Sequence, residues 1–98
     1  MTHRVVFSPR ALDQLDALQS YIEAAGSPVA AGAYVEAIIV YCESMATFPV
    51  RGVVRDDIRE GLRITNYRGR AVIAFTVNTD TVAILGVFYG GQDYSQLL

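Results

Sequence analysis

The spacing of apolar residues differs between the two halves of this 98-residue chain, with the change near Gly61. From Leu12 to about Phe48, apolar residues recur at intervals of three and four, which is the period of an amphipathic helix. After Gly61 they alternate with polar residues or form short continuous runs, a pattern typical of β-strands. Helices that precede strands in this way favour the α+β class, with the helices packed on an antiparallel sheet. The length fits one domain, residues 1–98.

Two Ser-Pro pairs mark the predicted helix starts. Ser8 and Ser27 suit the N-cap position, and Pro9 and Pro28 suit the first helical position. We expect the first helix to end at Gly26 and the second to run from residue 28 to about residue 48. The apolar stripe predicted for the first helix comprises Leu12, Leu15, Leu18, Ile22 and Ala25.

The second helix carries two apolar stripes. One comprises Ala30, Tyr34, Ala37, Ile38, Tyr41, Met45 and Phe48, and the other Val35, Ile39, Cys42 and Ala46. Together they cover more of the helix than a single packing face requires. We therefore expect the second helix either to lie between the first helix and the sheet or to contact another chain, and Val35 and Ile39 are candidates for such a contact.

The predicted strands are short and closely connected. A β-branched and aromatic run at residues 4–7 forms the first strand, and residues 49–60 form a loop. Residues 61–67 alternate Leu62 and Ile64 with Arg63, Thr65 and Tyr67. Turns at residues 68–69 and 78–80 then separate strands at 71–77 and 81–89. The predicted order is β-α-α-β-β-β, and its last three strands form an antiparallel meander.

Composition restricts the chemistry. The single cysteine, Cys42, cannot form an intrachain disulfide, and its place in a helical apolar stripe indicates a buried side chain. With one cysteine and one histidine, His3, a zinc site is not expected, and no other metal or cofactor is predicted. No apolar run approaches the roughly 20 residues that a bilayer span requires. We therefore expect a soluble, cytoplasmic protein with no membrane partner.

Arginines are concentrated in one window. Lysine is absent, and six of the eight arginines lie between positions 51 and 70, against three carboxylates. Arginine suits planar, bidentate pairing with carboxylates or phosphates, so this window is a candidate contact surface. The alternative is a set of solvated surface charges paired with Asp56, Asp57 and Glu60. The acidic pI of about 5.1 argues against non-specific coating of DNA.

Four segments resemble the RelE/ParE toxin superfamily. They are residues 7–15 (FSPRALDQL), the Phe48-Pro49 pair followed by Gly52, residues 57–63 (DIREGLR) and residues 87–93 (VFYGGQD). The third is similar to the family's D-I-R-P-G-x-R segment, with Glu60 in place of the usual proline. In the fourth, Gln92 stands where ParE members often carry arginine before the aspartate. The resemblance covers nearly the whole chain and is closer to the ParE branch than to the ribonucleases.

The resemblance to ParE implies a function by binding. ParE-like toxins inhibit DNA gyrase by stalling it on cleaved DNA, and a ParD-type antitoxin neutralises them. An antitoxin segment that folds on contact would bring acidic residues to the arginines. No sequence-specific contact with nucleic acid is expected from the toxin alone. Our candidates for partner binding are Arg59, Arg63, Tyr67, Arg70, Val35, Ile39, Tyr89 and Asp93.

Two alternatives remain open. Ribonuclease members of the superfamily cut messenger RNA on the ribosome with Lys, Arg, Tyr or His/Glu side chains. This chain lacks lysine, carries Val72 about where a ribonuclease carries arginine, and has residues 90–92 (GGQ) in place of a cationic cluster. Arg63, Arg70 and Tyr94 could contribute but do not complete an acid–base set. The other alternative is a degenerate toxin that only binds an antitoxin.

Overall fold

The computed structural model describes residues 3–89, which form two helices and one five-stranded sheet. In chain order the elements are β1 (Arg4–Phe7), α1 (Pro9–Ala25), α2 (Pro28–Glu43), a 3-10 helix (Ser44–Ala46), β2 (Val53–Val54), β3 (Leu62–Tyr67), β4 (Ala71–Val77) and β5 (Thr81–Tyr89). The α+β class and the β-α-α-β-β-β order are confirmed. The predicted meander of the last three strands is also present, as the antiparallel pairs β3–β4 and β4–β5.

Both helices begin at the predicted serines. The Oγ of Ser8 accepts a hydrogen bond from the backbone N–H of Ala11, and that of Ser27 accepts one from Ala30, each at 3.1 Å. Each serine thereby satisfies one of the backbone N–H groups that a helix start leaves without a partner. Gly26 ends α1 with a positive φ of 149°. These local contacts set the two helices in a hairpin.

The end of α2 differs from the prediction. The α-helix ends at Glu43, and the 3-10 helix that follows stops at Ala46 rather than at residue 48. The Ser44 hydroxyl donates to the carbonyl of Tyr41, and the Ser44 carbonyl accepts from the N–H of Thr47 and of Phe48. The Thr47 bond has the i→i−3 spacing of a 3-10 helix, whereas the Phe48 bond has the i→i−4 spacing of a single α-helical turn. Phe48 consequently leaves the predicted stripe and is 68% exposed.

The sheet has the order β1-β5-β4-β3-β2, with β1 parallel to β5 and the other pairs antiparallel. The assignment of residues 49–60 as a loop was incomplete, because β2 pairs Val53 with Ile64 and Val54 with Arg63. Two residues are too few to show a period in sequence. The β3–β4 turn has the predicted form, since Arg68 and Gly69 both have positive φ, at 53° and 70°.

The two faces of the sheet carry separate cores. Helices and sheet share the larger one, whose buried residues are Ala11, Leu15, Leu18, Val35, Ile38, Cys42, Met45, Ala71, Ile73, Phe75, Val82, Ile84 and Val87. The smaller one lies on the opposite face and comprises Leu62, Ile64, Ala74 and Phe88. The side chains of β3 that alternate with Leu62 and Ile64 therefore face the helices: the hydroxyl of Tyr41 on α2 lies 3.1 Å from that of Thr65.

The buried stripe of α1 differs from the prediction at one position. Leu12 was predicted to be part of it but is 54% exposed, and the neighbouring Ala11 is buried instead.

The start of α1 protects part of one sheet edge. β1 pairs with β5 only as far as Ile84, so within residues 3–89 no strand lies beside the following residues of β5 on that side. The Ser8 hydroxyl donates to the Leu85 carbonyl at 3.1 Å, and the Gln14 side chain accepts from the N–H of Val87 at 2.8 Å. These two bonds satisfy backbone groups that would otherwise invite another strand. They also fix the direction in which β5 runs toward Tyr89.

The helical stretch Pro28–Ala46 is 19 residues long with a mean hydropathy of 1.3, enough by length and composition to cross a membrane. This finding departs from the expectation that no segment would reach that length. In the fold, Ile38, Cys42 and Met45 of this stretch are completely buried in the core. Overall 28% of an 18-residue window of this stretch is buried, so one side of the stretch packs in the core shared with α1 and the sheet, and the rest is exposed or half-buried.

Candidate functional site

Five tyrosines meet where β3 and β5 end beside the helical hairpin. We call Tyr21, Tyr34, Tyr41, Tyr67 and Tyr89 the tyrosine cluster. Tyr34 is its centre, with its ring centroid 6.1 Å from that of Tyr67 and 5.9 Å from that of Tyr89, both in edge-to-face arrangements. Tyr41 extends the cluster from Tyr67 at 5.1 Å, and Tyr21 extends it from Tyr89 at 6.1 Å. Aromatic pairs of this geometry stabilise the packing beyond their buried area.

An open cleft of about 360 Å³ lies beside this cluster. We call it the tyrosine cleft; its lining residues are Ile22, Ala30, Tyr34, Arg68, Arg70 and Tyr89. The lining residues come from four places in the chain: the end of α1, the start of α2, the β3–β4 turn and the end of β5. The walls are mainly apolar, and the two arginines stand at the turn. A concave, apolar surface with a few polar groups is the general form of a binding site.

Arg68 and Arg70 give the tyrosine cleft a positive rim. The guanidinium of Arg68 lies 5.3 Å from the ring centroid of Tyr67, within the range of a cation–π contact. Both arginines are exposed, and neither forms an ion pair with a carboxylate among residues 3–89. By contrast, Arg55 holds Asp57 through a bond of 2.9 Å, and this hydrogen bond lowers the pKa of the Asp57 carboxyl. The arginines between positions 51 and 70 therefore differ in their availability to a partner: Arg55 is paired with a carboxylate of its own chain, and Arg68 and Arg70 have no such pair within residues 3–89.

The hydroxyl of Tyr34 is buried and has no hydrogen-bond partner. Burial raises the pKa of Tyr34, as do Tyr89 and Tyr67, while Arg70 and Arg68 act in the opposite direction. The hydroxyl therefore stays protonated and can donate or accept a hydrogen bond. Leaving such a group unpaired costs about 1–3 kcal/mol. An unsatisfied polar atom in the wall of a cleft is the kind of defect that a bound partner can relieve.

The predicted binding residues separate into two groups. Tyr67, Arg70 and Tyr89 lie at the tyrosine cleft or in its cluster. Arg63 lies four residues from Tyr67 along β3, and its Nε donates to the carbonyl of Arg51 at 3.0 Å. Arg59 is exposed in the loop that precedes β3. These arginines do not form one surface, because the extended strand β3 separates Arg59 and Arg63 at its start from Arg70 beyond its end.

The remaining predicted positions have different surroundings. Val35 is 7% exposed in the core shared by helices and sheet, so almost none of its side chain is available to a partner. Val35 belongs to the core that both helices share with the sheet, whereas Val29 and Val40 of the same helix remain exposed. Ile39 is half-buried against the same core. Asp93 lies outside the described residues.

Tyr34, Arg68, Ile22 and Ala30 were not among the predicted site residues. In sequence, Tyr34 and Ala30 belonged to an apolar helical stripe, and Arg68 was assigned only to a turn. The one signal that could have singled out Tyr34 is its hydroxyl, since a tyrosine in a core stripe needs a partner for this group. No local pattern shows that the β3–β4 turn meets the helical hairpin.

Cys42 is buried in the core, as its position in a helical stripe predicted. Desolvation raises its thiol pKa from 9.0 to about 12, with Glu43 adding to the rise and Arg51 opposing it. Because folding raises this pKa, the neutral thiol favours the folded state fully below pH 9, and this contribution is lost as the pH rises toward about 12.

We predict that Cys42 is nearly inert in the folded protein. At pH 8 the pKa difference alone reduces the thiolate fraction about a thousandfold relative to the unfolded chain. Iodoacetamide should therefore label the native protein at least that much more slowly than the protein in urea, as followed by mass spectrometry. Similar rates in both states would contradict the burial of this thiol.

The sheet face opposite the helices carries a small apolar core, with Asn66 and Thr76 in register on the same face. Ile58, Val72 and Leu85 flank this core, so Val72 lies among apolar side chains.

His3 lies beside the β4–β5 turn, where its Nε2 is 3.1 Å from the carbonyl oxygen of Asn78. Within residues 3–89, no group of three His, Cys, Asp or Glu side chains could hold a metal ion.

Comparison with known proteins agrees with the fold. No curated protein sequence matches the chain significantly. The chromosomal ParDE toxin–antitoxin system from P. aeruginosa contains a similar structure, with a TM-score of 0.77 at 20% identity over 90% of this chain and 96% of that one. The RelBE2 toxin–antitoxin complex from Mycobacterium tuberculosis is also similar, with a TM-score of 0.65 at 18% identity over 92% of this chain and 100% of that one.

The family described as the ParE toxin of the parDE type II toxin–antitoxin system matches residues 5–94. This match includes both helices, all five strands except Arg4 of β1, and every residue of the tyrosine cleft. The superfamily resemblance seen in sequence is thereby confirmed. The chain belongs to the ParE family of toxins from type II toxin–antitoxin systems.

Proposed function

We propose that this toxin acts by binding DNA gyrase in the cytoplasm, without catalysing a reaction, and that a ParD-type antitoxin neutralises it. Membership of the ParE family supports a target of this kind. The observation that supports the non-catalytic part is the apolar core on the sheet face opposite the helices, built from Leu62, Ile64, Ala74 and Phe88 with Val72 at its border.

Cleavage of RNA requires ionisable side chains, which the apolar core on this sheet face does not supply. A base must activate the 2′-hydroxyl, cations must neutralise charge on the phosphorus, and an acid must protonate the leaving oxygen. Such groups act only when they converge within hydrogen-bond reach of one phosphate. Among the described residues, Arg63 is bound to the Arg51 carbonyl while Arg70 lies beyond the other end of β3. They do not converge on one substrate.

The proposed antitoxin has support from the structural neighbours. Both similar structures are described as toxin–antitoxin systems or complexes. A toxin that is covered by its antitoxin needs a surface with the composition of a protein–protein interface. The tyrosine cleft has apolar walls and two arginines. Interfaces of this kind are enriched in tyrosine and arginine.

A ribosome-dependent ribonuclease is the second candidate, because the RelBE2 complex shares the fold. The two functions differ in what accumulates inside a cell. We expect that expression of the toxin in a bacterium stops growth, traps gyrase on cleaved DNA and induces the response to DNA damage. Co-expression of the antitoxin should restore growth.

The same cells allow a direct comparison of the candidates. Covalent gyrase–DNA complexes can be recovered and counted, while the 5′ ends of messenger RNA can be mapped at single-nucleotide resolution. Trapped gyrase without new RNA ends supports the proposal. RNA ends in phase with codons, and no trapped gyrase, would favour the ribonuclease. No growth arrest, together with a stable antitoxin complex, would indicate a degenerate toxin.

A further inference from the structure

We propose that the tyrosine cleft is the docking site for an acidic segment of the antitoxin, one that inserts an apolar side chain between carboxylates. This inference rests on the antitoxin of the proposed function and adds the place and the chemistry of the contact. Three independent features of the cleft support it: its walls, its charge and an unpaired hydroxyl.

The walls of the tyrosine cleft suit an apolar side chain. Ile22, Ala30 and the rings of Tyr34 and Tyr89 line a volume of about 360 Å³. This volume is near the lower limit of small-molecule sites and is large enough for one or two aliphatic side chains. Tyr34 is fixed by edge-to-face contacts with Tyr67 and Tyr89, so the wall is formed before a partner arrives. A preformed wall reduces the ordering cost of binding.

The charge of the cleft suits carboxylates. Arg68 and Arg70 flank Gly69 at the β3–β4 turn, and no carboxylate of residues 3–89 pairs with either. The ring of Tyr67 beneath Arg68 limits the freedom of one guanidinium. A guanidinium held in this way can pair with a carboxylate through two parallel hydrogen bonds. The chain as a whole has a charge of −2, so this rim is a local exception.

The hydroxyl of Tyr34 suits a backbone carbonyl. It is the buried side-chain polar atom without a partner in the described part of the chain, and it belongs to a residue that lines the cleft. A peptide that lies along the cleft presents a carbonyl every residue. Because the hydroxyl oxygen is shielded from solvent, the Tyr34 ring must turn toward the cleft before such a carbonyl can accept its proton.

A nucleic acid fits these features less well. Binding by phosphate contacts requires several cations along a groove, whereas the tyrosine cleft has two arginines and the chain has no lysine. The faces and edges of Tyr34 and Tyr67 are already in contact with other rings, so these side chains do not offer a stacking platform. A short peptide with two carboxylates matches the number of arginines.

A titration followed by NMR on the ¹⁵N-labelled toxin tests the proposal. The probes are an acetylated, amidated peptide of four alternating Leu-Glu pairs and the same peptide with Gln in place of Glu. We expect the Leu-Glu peptide to shift the amide signals of Tyr34, Arg68 and Arg70. Its affinity should exceed that of the Leu-Gln peptide by about two- to thirtyfold, as two solvent-exposed ion pairs would give.

Variants assign the effect to the cleft. The double substitution R68Q/R70Q should remove the preference for Leu-Glu, whereas Arg59→Gln, at an exposed loop position outside the cleft, should leave it intact. Tyr34→Phe should weaken binding of both peptides without lowering the melting temperature, because it removes an unpaired hydroxyl and keeps the ring. A weakened Tyr34→Phe that is also less stable would instead show a structural role.

Four outcomes would overturn the proposal. They are equal affinities for the two peptides, signal shifts centred outside the cleft, tighter binding of a single-stranded DNA oligonucleotide, and shifts that grow with toxin concentration alone, which would indicate a second copy. Gyrase supercoiling is measured separately with the same variants. Peptide binding in the cleft with no effect on gyrase would remove the proposed target and leave this inference standing; inhibition of gyrase without peptide binding would do the reverse.

Discussion

Replacing Gly52 with alanine is expected to destabilise the toxin by about 2–5 kcal/mol. Gly52 has a φ of +75°, and a Cβ atom there would lie 2.2 Å from the backbone carbonyl oxygen of Ile64. The left-handed backbone costs an alanine about 1–2 kcal/mol, and relieving the overlap costs a further 1–3 kcal/mol. Because the obstacle is backbone, β2 must move away from β3. Urea denaturation gives the change in the free energy of unfolding.

Gly61→Ala is the matched control for this prediction. Gly61 has nearly the same φ, +77°, but a Cβ atom there would meet nothing within 4 Å. It should therefore show only the backbone cost, about 1–2 kcal/mol. The difference between the two variants isolates the close approach of Gly52 to β3. Equal losses of stability would contradict the pairing of β2 with β3.

Ile38→Asp is expected to abolish folding. Ile38 is completely buried in the core that the helices share with the sheet, so the substitution removes an apolar side chain and places a carboxylate there. The loss of packing costs about 2–5 kcal/mol, and burying a charge without a partner adds to it. A small domain has only about 5–15 kcal/mol of stability in total. Circular dichroism should show loss of helix and of cooperative unfolding.

Val40→Asp is the control two residues further along α2. Val40 is 54% exposed, so the carboxylate can remain in water. We expect a folded protein within about 1 kcal/mol of the wild type. Ile39→Asp lies between these cases because Ile39 is half-buried against the core. If that variant folds with unchanged affinity for the antitoxin, Ile39 is outside the interface; if Ile38→Asp folds, the position of α2 is wrong.

The helices were predictable from sequence because their determinants are local. Ser8 and Ser27 precede prolines, and each serine caps the helix that it precedes. The β3–β4 turn was predictable for the same reason, since Gly69 accepts positive φ without strain. Phe48 was misplaced because the change to a 3-10 turn depends on the side chain of Ser44, which competes for the Tyr41 carbonyl.

Features that depend on distant parts of the chain were not predictable. The alternation in β3 separated Leu62 and Ile64 from Thr65 and Tyr67, but it could not show which set faces the helices. The structure places the apolar set in a second core, and the polar set packs against Tyr41. Likewise Val35 was a reasonable partner contact in sequence, because its burial depends on how both helices pack against the sheet.

The candidate site was predictable only in part. Tyr67, Arg70 and Tyr89 were singled out as strand-end residues, whereas Tyr34 and Arg68 were not. A helical stripe does not show which of its members reaches the end of the sheet, and here Tyr34 is the residue that contacts both Tyr67 and Tyr89. The cleft exists because the β3–β4 turn, β5 and the helical hairpin end at the same place.

A supercoiling assay with purified gyrase tests the central claim most directly. Relaxed plasmid, ATP and gyrase are incubated with increasing toxin, and the products are separated after protein denaturation and proteolysis. We predict loss of supercoiling with accumulation of linear DNA, and reversal when antitoxin is added first. Full supercoiling at every toxin concentration, with a ribosome-bound messenger RNA cut by the same preparation, would contradict the proposed function.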